Sequence, residues 1–432
     1  SCTHRNTPCM LAFPRRIAAF LLAQSAFASA GLLDQPMAKP EFDACIQQLA
    51  DQTGTAGRRL SRDDFLRIAG TANYEDRSRQ GMLVQTGEPT FWWDDIAATT
   101  DDARVAQGRQ VLARNADALR DIEARFGVPK EVVVAIYGIE TNYGSSPGRI
   151  PVLDAALSLA CLRPCTGTTG TCASRERAYA AVRLIRDGRV RPEAFVGSWA
   201  AAFGRTQFVP DSFEQLAVDG DGDGLADVVN SEHDALASAA NHLRRRGGWT
   251  AGVPVYIEVA IPPAQQAEAV ATAQATRMAQ RARKASEWAA AGWQAVGSGG
   301  ARQPLQVAGD PPLSPFMPVG LPGPAFLASS NFSTIFRYNN SERYVMEVAV
   351  LANRLAGGPG IVTPWPTDDP GLSRAEIRAL QDWLVQRGYT QVTADGVMGR
   401  NTRDAIEAER AKKGLPPGRR VGQRTARVLM QP

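Results

Sequence analysis

Residues 127–144, Gly-Val-Pro-Lys-Glu-Val-Val-Val-Ala-Ile-Tyr-Gly-Ile-Glu-Thr-Asn-Tyr-Gly, constrain the fold more than any other stretch. Gly127 and Pro129 punctuate a helix start, and Pro129 suits a first turn because the N–H it lacks would go unpaired there anyway. Val132, Val133, Val134, Ala135, Ile136 and Ile139 then make the helix apolar on every face, so it must run through a core rather than along a surface. It ends in one acid, Glu140, followed by the helix-stopping Asn142 and Gly144. A carboxyl there is desolvated and sits near the negative end of the helix dipole. Both effects favour the protonated form and raise its pKa, which is the state a general acid needs near neutral pH. The competing reading is a glutamate that closes a buried helix at a solvent edge.

The 432 residues leave room for two or three domains. The net charge of +4 hides an uneven distribution. Residues 1–30 hold three arginines and no acid, residues 371–432 carry 12 Lys/Arg against 6 Asp/Glu, and residues 31–370 therefore sum to −5. The basic C-terminal piece suits an anionic partner, but no RNA-binding signature or recognition-helix pattern accompanies it, so no nucleic acid is expected. Within residues 10–30, Arg15 and Arg16 precede a short apolar run that closes on Ala28-Ser29-Ala30, the pattern of a secretory signal peptide and its cleavage site. No cysteine stands at the cleavage point, so no lipid anchor is expected, and no other apolar run is long enough to be a transmembrane segment. The expectation is a soluble protein exported to the periplasm.

Four cysteines lie beyond residue 30: Cys45, Cys161, Cys165 and Cys172. Export makes disulfides the natural reading, with three pairings open. Zinc is the rival, but no histidine lies near them, and His233 and His242 fall in no metal-ligand or triad pattern.

Residues 31–126 read as mainly helical, with the aromatic cluster Phe91-Trp92-Trp93 among them. A second helix is expected from near Pro151 and another over Glu176–Asp187. Between 195 and 216, small residues surround Trp199, while Ser198 and Gln207 are polar residues in an apolar setting, suited to orienting a polyhydroxyl ligand or to satisfying buried backbone. Residues 219–230, Asp-Gly-Asp-Gly-Asp-Gly-Leu-Ala-Asp-Val-Val-Asn, put acids at positions 1, 3, 5 and 9 and glycine at 6 of a calcium loop. Asp219, Asp221 and Asp223 would supply carboxylates and Leu225 its carbonyl. Asn230 stands where a bidentate glutamate is usual, with Glu232 or Asp234 as substitutes. Val253–Ile261 alternates as a strand, 264–291 reads as Ala-rich helix, 298–325 is Gly/Pro-rich with few regular elements, and Ser341–Ala356 is a helix. Residues 357–370 read as a Pro/Gly linker. Beyond them come three short amphipathic helices with a modest core.

Taken together, these segments resemble the lytic transglycosylase B family of bacterial cell-wall enzymes. The carriers are Ile139-Glu140-Thr-Asn-Tyr-Gly144, Gly204-Arg-Thr-Gln207-Phe-Val-Pro210, the 219–230 loop, and Asn331-Phe332 with Arg337-Tyr338-Asn339-Asn340. Residues 371–432 resemble a three-helix peptidoglycan-binding domain through Leu380-Gln381, Asp395-Gly396, Gly399-Arg-Asn-Thr402 and Gly414-Leu415-Pro416. A glutamine usual after that domain's second-helix aromatic is replaced by Ala408-Glu409-Arg410. The resemblance implies a mainly α chain: a lysozyme-like helical catalytic domain with a mixed α/β part over residues 31–356, and a small three-helix module over 371–432. It implies cleavage of the β-1,4 bond between N-acetylmuramic acid and N-acetylglucosamine in peptidoglycan glycan strands, leaving 1,6-anhydromuramyl ends. Glu140 would be the single acid/base. Ser198, Gln207, Tyr338, Tyr143, Phe208 and Asn339 would contact substrate, with Tyr338 beside the catalytic carboxyl. Asp219, Asp221, Asp223, Leu225 and Asp234 would hold Ca2+. No organic cofactor is implied, and cell-wall synthesis or secretion complexes are candidate partners. Ordinary glycosidases use two carboxylates, and the sequence offers no second acid in a comparable motif. The rival readings are a hydrolytic muramidase and a non-catalytic peptidoglycan-binding protein.

Overall fold

A computed structural model describes residues 31–55, 58–84, 90–165 and 172–432. The expected signal peptide lies outside the described residues. The chain divides into two compact units, one built from the segments before 88 and from 150–202, the other from 88–149 and 203–432.

The first unit is helical. Its core forms where Phe42, Ile46 and Leu49 of the Lys39–Asp51 helix and Phe65 of the Arg62–Ala69 helix meet the buried Leu157 and Tyr179. Ser61 caps the Arg62–Ala69 helix by accepting the Asp64 N–H. Of the three pairings left open by the sequence, the structure takes Cys45–Cys161 and Cys165–Cys172. The first bridge ties the Lys39–Asp51 helix to the Val152–Leu162 helix across 116 residues of sequence.

The second unit is organised around the helix that the sequence makes apolar all round, Lys130–Thr141, in which every residue from Val132 to Gly138 is buried. The helices Asp102–Arg114, Ala116–Phe126, Glu232–His242 and Glu342–Leu355 pack around it. Tyr143 folds back over the end of the helix, where a Cβ on Gly138 would come within 2.7 Å of its ring, so that position has room only for glycine.

The mixed part is a six-stranded antiparallel sheet in which Tyr256–Ala260 and Phe326–Ala328 are central and Pro312–Phe316 flanks them. Register places Ile257 and Pro315 on either side of Leu327. One expectation for this part is corrected. The 264–291 stretch is not one helix: Gln266–Ala275 ends before a 3-10 turn, and Arg283–Lys284 pairs as a strand with Pro312–Phe316. Nothing in Gln266–Ala275 is fully buried, so alanine propensity had no packing to extend it, and sheet pairing won. The 298–325 stretch, expected to carry few regular elements, holds two short strands, Arg302–Gln303 and Pro312–Phe316, the second hidden in the sequence by Pro312 and Pro315.

The C-terminal helices Arg374–Gln386, Arg400–Lys412 and Gln423–Met430 enclose Leu380, Leu384, Ile406 and Leu429. Gln381, fully buried, accepts the Gly396 N–H and donates to the Val397 carbonyl, fixing the Asp395-Gly396 turn. The 357–370 segment is pinned at both ends. The Glu258 carboxylate accepts Val362 and Thr363 N–H at 2.8 and 2.7 Å. Asp369 accepts the N–H groups of Gly422, Arg424 and Thr425.

Candidate active site

Glu140 stands in the last turn of the Lys130–Thr141 helix, which Asn142 ends in the left-handed conformation. Three consecutive residues, Asn142, Tyr143 and Gly144, have positive φ. Thr141, buried, locks this turn: its hydroxyl donates to the Arg205 carbonyl at 2.6 Å and accepts the Gly144 N–H at 2.9 Å. The Glu140 side chain is half-buried. Burial pushes its carboxyl up to about 7, while a hydrogen bond from the Tyr344 hydroxyl to Oε1, 2.6 Å long, pulls the other way. No cation pairs with Glu140 among the described residues.

An aromatic stack backs this pair. Tyr344 lies nearly parallel to Tyr338 at 6.1 Å between ring centroids, and Tyr338 meets His242 at 4.4 Å. The Tyr338 hydroxyl donates to the Thr206 carbonyl at 2.7 Å. His242 is buried and held down to about 4, so it is neutral across the physiological range. Phe208, 2% exposed, meets Tyr338 edge-on and supports it from beneath.

A second acid stands one helical turn beyond Tyr344. Burial, then the neighbouring charge of Asp95, pushes the Glu347 carboxyl up to about 8. At neutral pH it is mostly protonated. It is thus unable to supply the second carboxylate that an ordinary glycosidase requires.

A family profile described as the transglycosylase SLT domain matches residues 41–353. The chain belongs to this family. A second profile, described as a putative peptidoglycan binding domain, matches residues 373–429. The membrane-bound lytic murein transglycosylase B of Escherichia coli (strain K12) is 31% identical over 248 residues, 56% of this chain. That alignment spans 60% of the relative's own length. Among solved structures, SltB3 from Pseudomonas aeruginosa in complex with NAG-anhNAM-pentapeptide aligns with a TM-score of 0.64 at 33% identity, over 90% of this chain and 98% of that one. Slt35 of Escherichia coli in complex with calcium aligns with a TM-score of 0.56 at 26% identity, over 72% of this chain and 92% of that one. The fold class read from the sequence, mainly α with a lysozyme-like catalytic part, agrees with these transglycosylase structures.

Four other residues singled out in the sequence of this SLT family member stand in different surroundings. Gln207 sits at positive φ and spends its side-chain N–H groups on the Gly204 and Pro147 carbonyls, which leaves its amide oxygen for an incoming donor. Tyr143 donates its hydroxyl to the Arg104 carbonyl at 2.8 Å and meets Tyr137 edge-on. Asn339 is exposed at the end of the Ser330–Asn339 helix. Ser198 belongs to the first unit, where its oxygen accepts the Ala200 and Ala202 N–H groups.

Asp219, Asp221, Asp223 and Asp234 each bring a carboxylate oxygen within 4.8 Å of the others. Asp234 is fully buried, and its carboxylate accepts the Gly220, Asp221 and Asp227 N–H groups. Asp227, the ninth position of the loop, turns instead onto Val229 and Asn230 N–H. Four clustered acids with no paired cation among the described residues could hold a hard divalent ion.

The sequence reading missed Tyr344 and Glu347. Tyr344 lies six residues beyond Tyr338, on a helix capped by Ser341. Glu347 is legible in hindsight as a lone acid among Val345, Met346, Val348 and Ala349, all buried.

Proposed function

We propose that this chain is a lytic transglycosylase that cleaves the β-1,4 bond between N-acetylmuramic acid and N-acetylglucosamine in peptidoglycan, with Glu140 as its single acid/base. The observation that carries the reading is the pair of acids. Burial holds the Glu140 carboxyl up at about 7 against the Tyr344 hydroxyl, and among the described residues the one other carboxyl pushed up to that range, Glu347, is mostly protonated at neutral pH. This favours a one-carboxylate reaction over hydrolysis by two.

Protonated Glu140 donates to the bridging oxygen as the bond to the muramyl C1 breaks, and N-acetylglucosamine departs as an alcohol. The muramyl 2-acetamido group stabilises the cation at C1. The Glu140 carboxylate, steadied by Tyr344, then takes the proton of the muramyl C6 hydroxyl as its oxygen bonds to C1. The acid is regenerated, no water is consumed, and a 1,6-anhydro ring closes. The attacking hydroxyl is tethered to the reacting ring, so its effective concentration is high. The names of the SltB3 complexes, which hold NAG-anhNAM-pentapeptide and NAG-NAM-pentapeptide, support this substrate and product.

Calcium fits the Asp219, Asp221, Asp223, Asp234 and Leu225 loop, where its charge would offset the clustered carboxylates and fix the segment that follows Gln207. The Slt35 complex with calcium supports that ion. Residues 1–30 would direct export to the periplasm, residues 31–356 would carry the chemistry, and residues 371–432 would tether the enzyme to the wall across the 357–370 segment. Among the described residues no helix is long and apolar enough to cross a membrane.

The test is digestion of purified sacculi followed by mass spectrometry. Products one water lighter than reducing ends support the transglycosylase; reducing ends would make the chain a muramidase; bound but uncut sacculi would make it a binding protein.

A further inference from the structure

A cavity of about 300 Å3 lies between the Trp92–Thr99 helix and the C-terminal helices, inside the second unit. Its walls are apolar on one side, with Ile377, Met398 and Val421. Four arginines and two aspartates make up its charge: Arg104, Arg374, Arg403 and Arg420 against Asp94 and Asp95. Both aspartates are already neutralised. Asp94 holds Arg420 through two hydrogen bonds of 2.8 Å, and Asp95 is ion-paired with Arg343.

The other three arginines have no carboxylate partner among the described residues. Arg104 is 6% exposed; one terminal nitrogen donates to the Gly138 carbonyl at 2.7 Å and its Nε finds no acceptor. Arg374 donates to the Asp395 carbonyl at 3.1 Å, and its Nε is likewise buried without an acceptor. Arg403 lines the rim of the same cavity. Burying cations this way is costly unless an anion compensates them. Burial holds both Arg104 and Arg374 below the ordinary arginine range; the charge of Arg374 adds to this at Arg104 and that of Arg378 adds to it at Arg374, while Asp101 works the other way on both.

We propose that this cavity binds a short peptide through its C-terminal carboxylate, with Arg374 and Arg403 gripping the carboxylate above Arg104 and small apolar side chains resting on Ile377, Met398 and Val421. Guanidinium groups suit a carboxylate through paired N–H donors, and the volume is at the small end of ligand pockets. That the peptide is a stem peptide of the wall rests on the peptidoglycan reading above. The carboxylate chemistry does not. A stem held here would keep the glycan within reach of the chain that cuts it, because Arg104 bridges the cavity to the Gly138 carbonyl, two residues before Glu140.

The experiment is calorimetric titration of the chain with a synthetic peptide ending in two alanines, with its C-terminal amide, and with acetate. The free acid should bind and the amide should bind at least tenfold more weakly, a loss of about 1.4 kcal/mol. Arg403→Gln, on a half-exposed position that should not disturb folding, should weaken the free acid severalfold, and Arg374→Gln more. Equal binding of acid and amide, or an unchanged affinity in Arg403→Gln, would overturn the site. Acetate binding as tightly as the peptide would overturn its peptide selectivity. Sacculus digestion run in parallel separates the two proposals: peptide binding without cleavage sinks the enzymatic reading and leaves this one standing, and cleavage without peptide binding does the reverse.

Discussion

Glu140 is half-buried and Glu409 fully buried, and they end in opposite states. Glu409, in the Arg400–Lys412 helix, is fully buried, yet Arg387, Tyr389 and Lys412 surround its carboxylate at 2.7–2.8 Å. Burial works to raise it, and those three bonds outweigh burial and hold it below the usual carboxylate range. Glu140 has one neutral donor, Tyr344, and burial wins. Burial alone therefore does not make a catalytic acid. What matters is burial left uncompensated, and the energetic cost of that sits where chemistry can use it.

The sharpest way to break this contrast is Glu140→Gln. Turnover of sacculi should fall about a thousandfold, in the range set by losing a general acid. The fold should not suffer. The Glu140 pKa is raised on folding from an ordinary 4.5 to about 7, so the native state binds this proton more tightly than the unfolded chain does. The group therefore lowers stability progressively as pH rises from 4.5 through 7, and glutamine escapes that cost. At pH 8 the variant should melt at or above the wild-type temperature. A variant that loses activity and also melts lower at pH 8 would make Glu140 a structural residue.

The aspartate cluster is a third solution: acids neither kept neutral nor paired by the protein. Asp219 is held below the usual range by the N–H groups of Gly224 and Gly222, so it keeps its charge. A chelator should lower the melting temperature by several degrees, since an ion at a hundred times its Kd contributes about 2.7 kcal/mol. Calcium should restore it, and Asp221→Asn should blunt both effects. A melting temperature indifferent to chelator and calcium would remove the ion from the account.

Glu409→Gln probes the compensated acid. It should destabilise the C-terminal helices by about 2 kcal/mol, the scale of losing a charge-assisted hydrogen bond in a partly solvated cluster. The loss should appear as faster hydrogen exchange along residues 400–412, with turnover of short soluble glycans unchanged. Its pH signature is opposite to that of Glu140. A depressed carboxylate contributes stability above its unfolded pKa and loses it as pH falls through the folded value, so wild type and variant should converge in acid. Divergence in acid would contradict the assignment.

This contrast also marks how much could be read in advance. The core helix and its terminal acid were legible because six apolar residues on all faces admit only a buried helix. The aspartate loop was legible because its ligands are local. Tyr344 was not: it reaches Glu140 across 204 residues, and no periodicity reports a hydrogen bond at that separation. Tyr338 was singled out and stands in the stack, but its hydroxyl goes to Thr206. Glu409 was noticed as a departure from a motif, while the three partners that give it meaning come from its own helix and from the 387–389 turn. The Pro312–Phe316 strand was hidden because its prolines argue locally for a loop, and only pairing with Phe326–Ala328 overrides them.

Tyr344→Phe tests the smallest difference between the two glutamates, one hydroxyl. The hydroxyl lowers the Glu140 pKa by favouring the carboxylate, so its removal should raise that pKa beyond about 7. The alkaline limb of kcat/KM should then move to higher pH, because Glu140 must be protonated to begin the reaction. kcat should fall about tenfold, since the carboxylate formed when the glycosidic bond breaks loses its donor. KM should hardly change, as the bond is to the enzyme's own acid and not to the sugar. An alkaline limb that stays put while kcat falls would mean that Tyr344 positions Glu140 without tuning it. A limb that moves to lower pH would mean the hydroxyl stabilises the protonated acid, and the account of why Glu140 differs from Glu409 would fail at its one neutral partner.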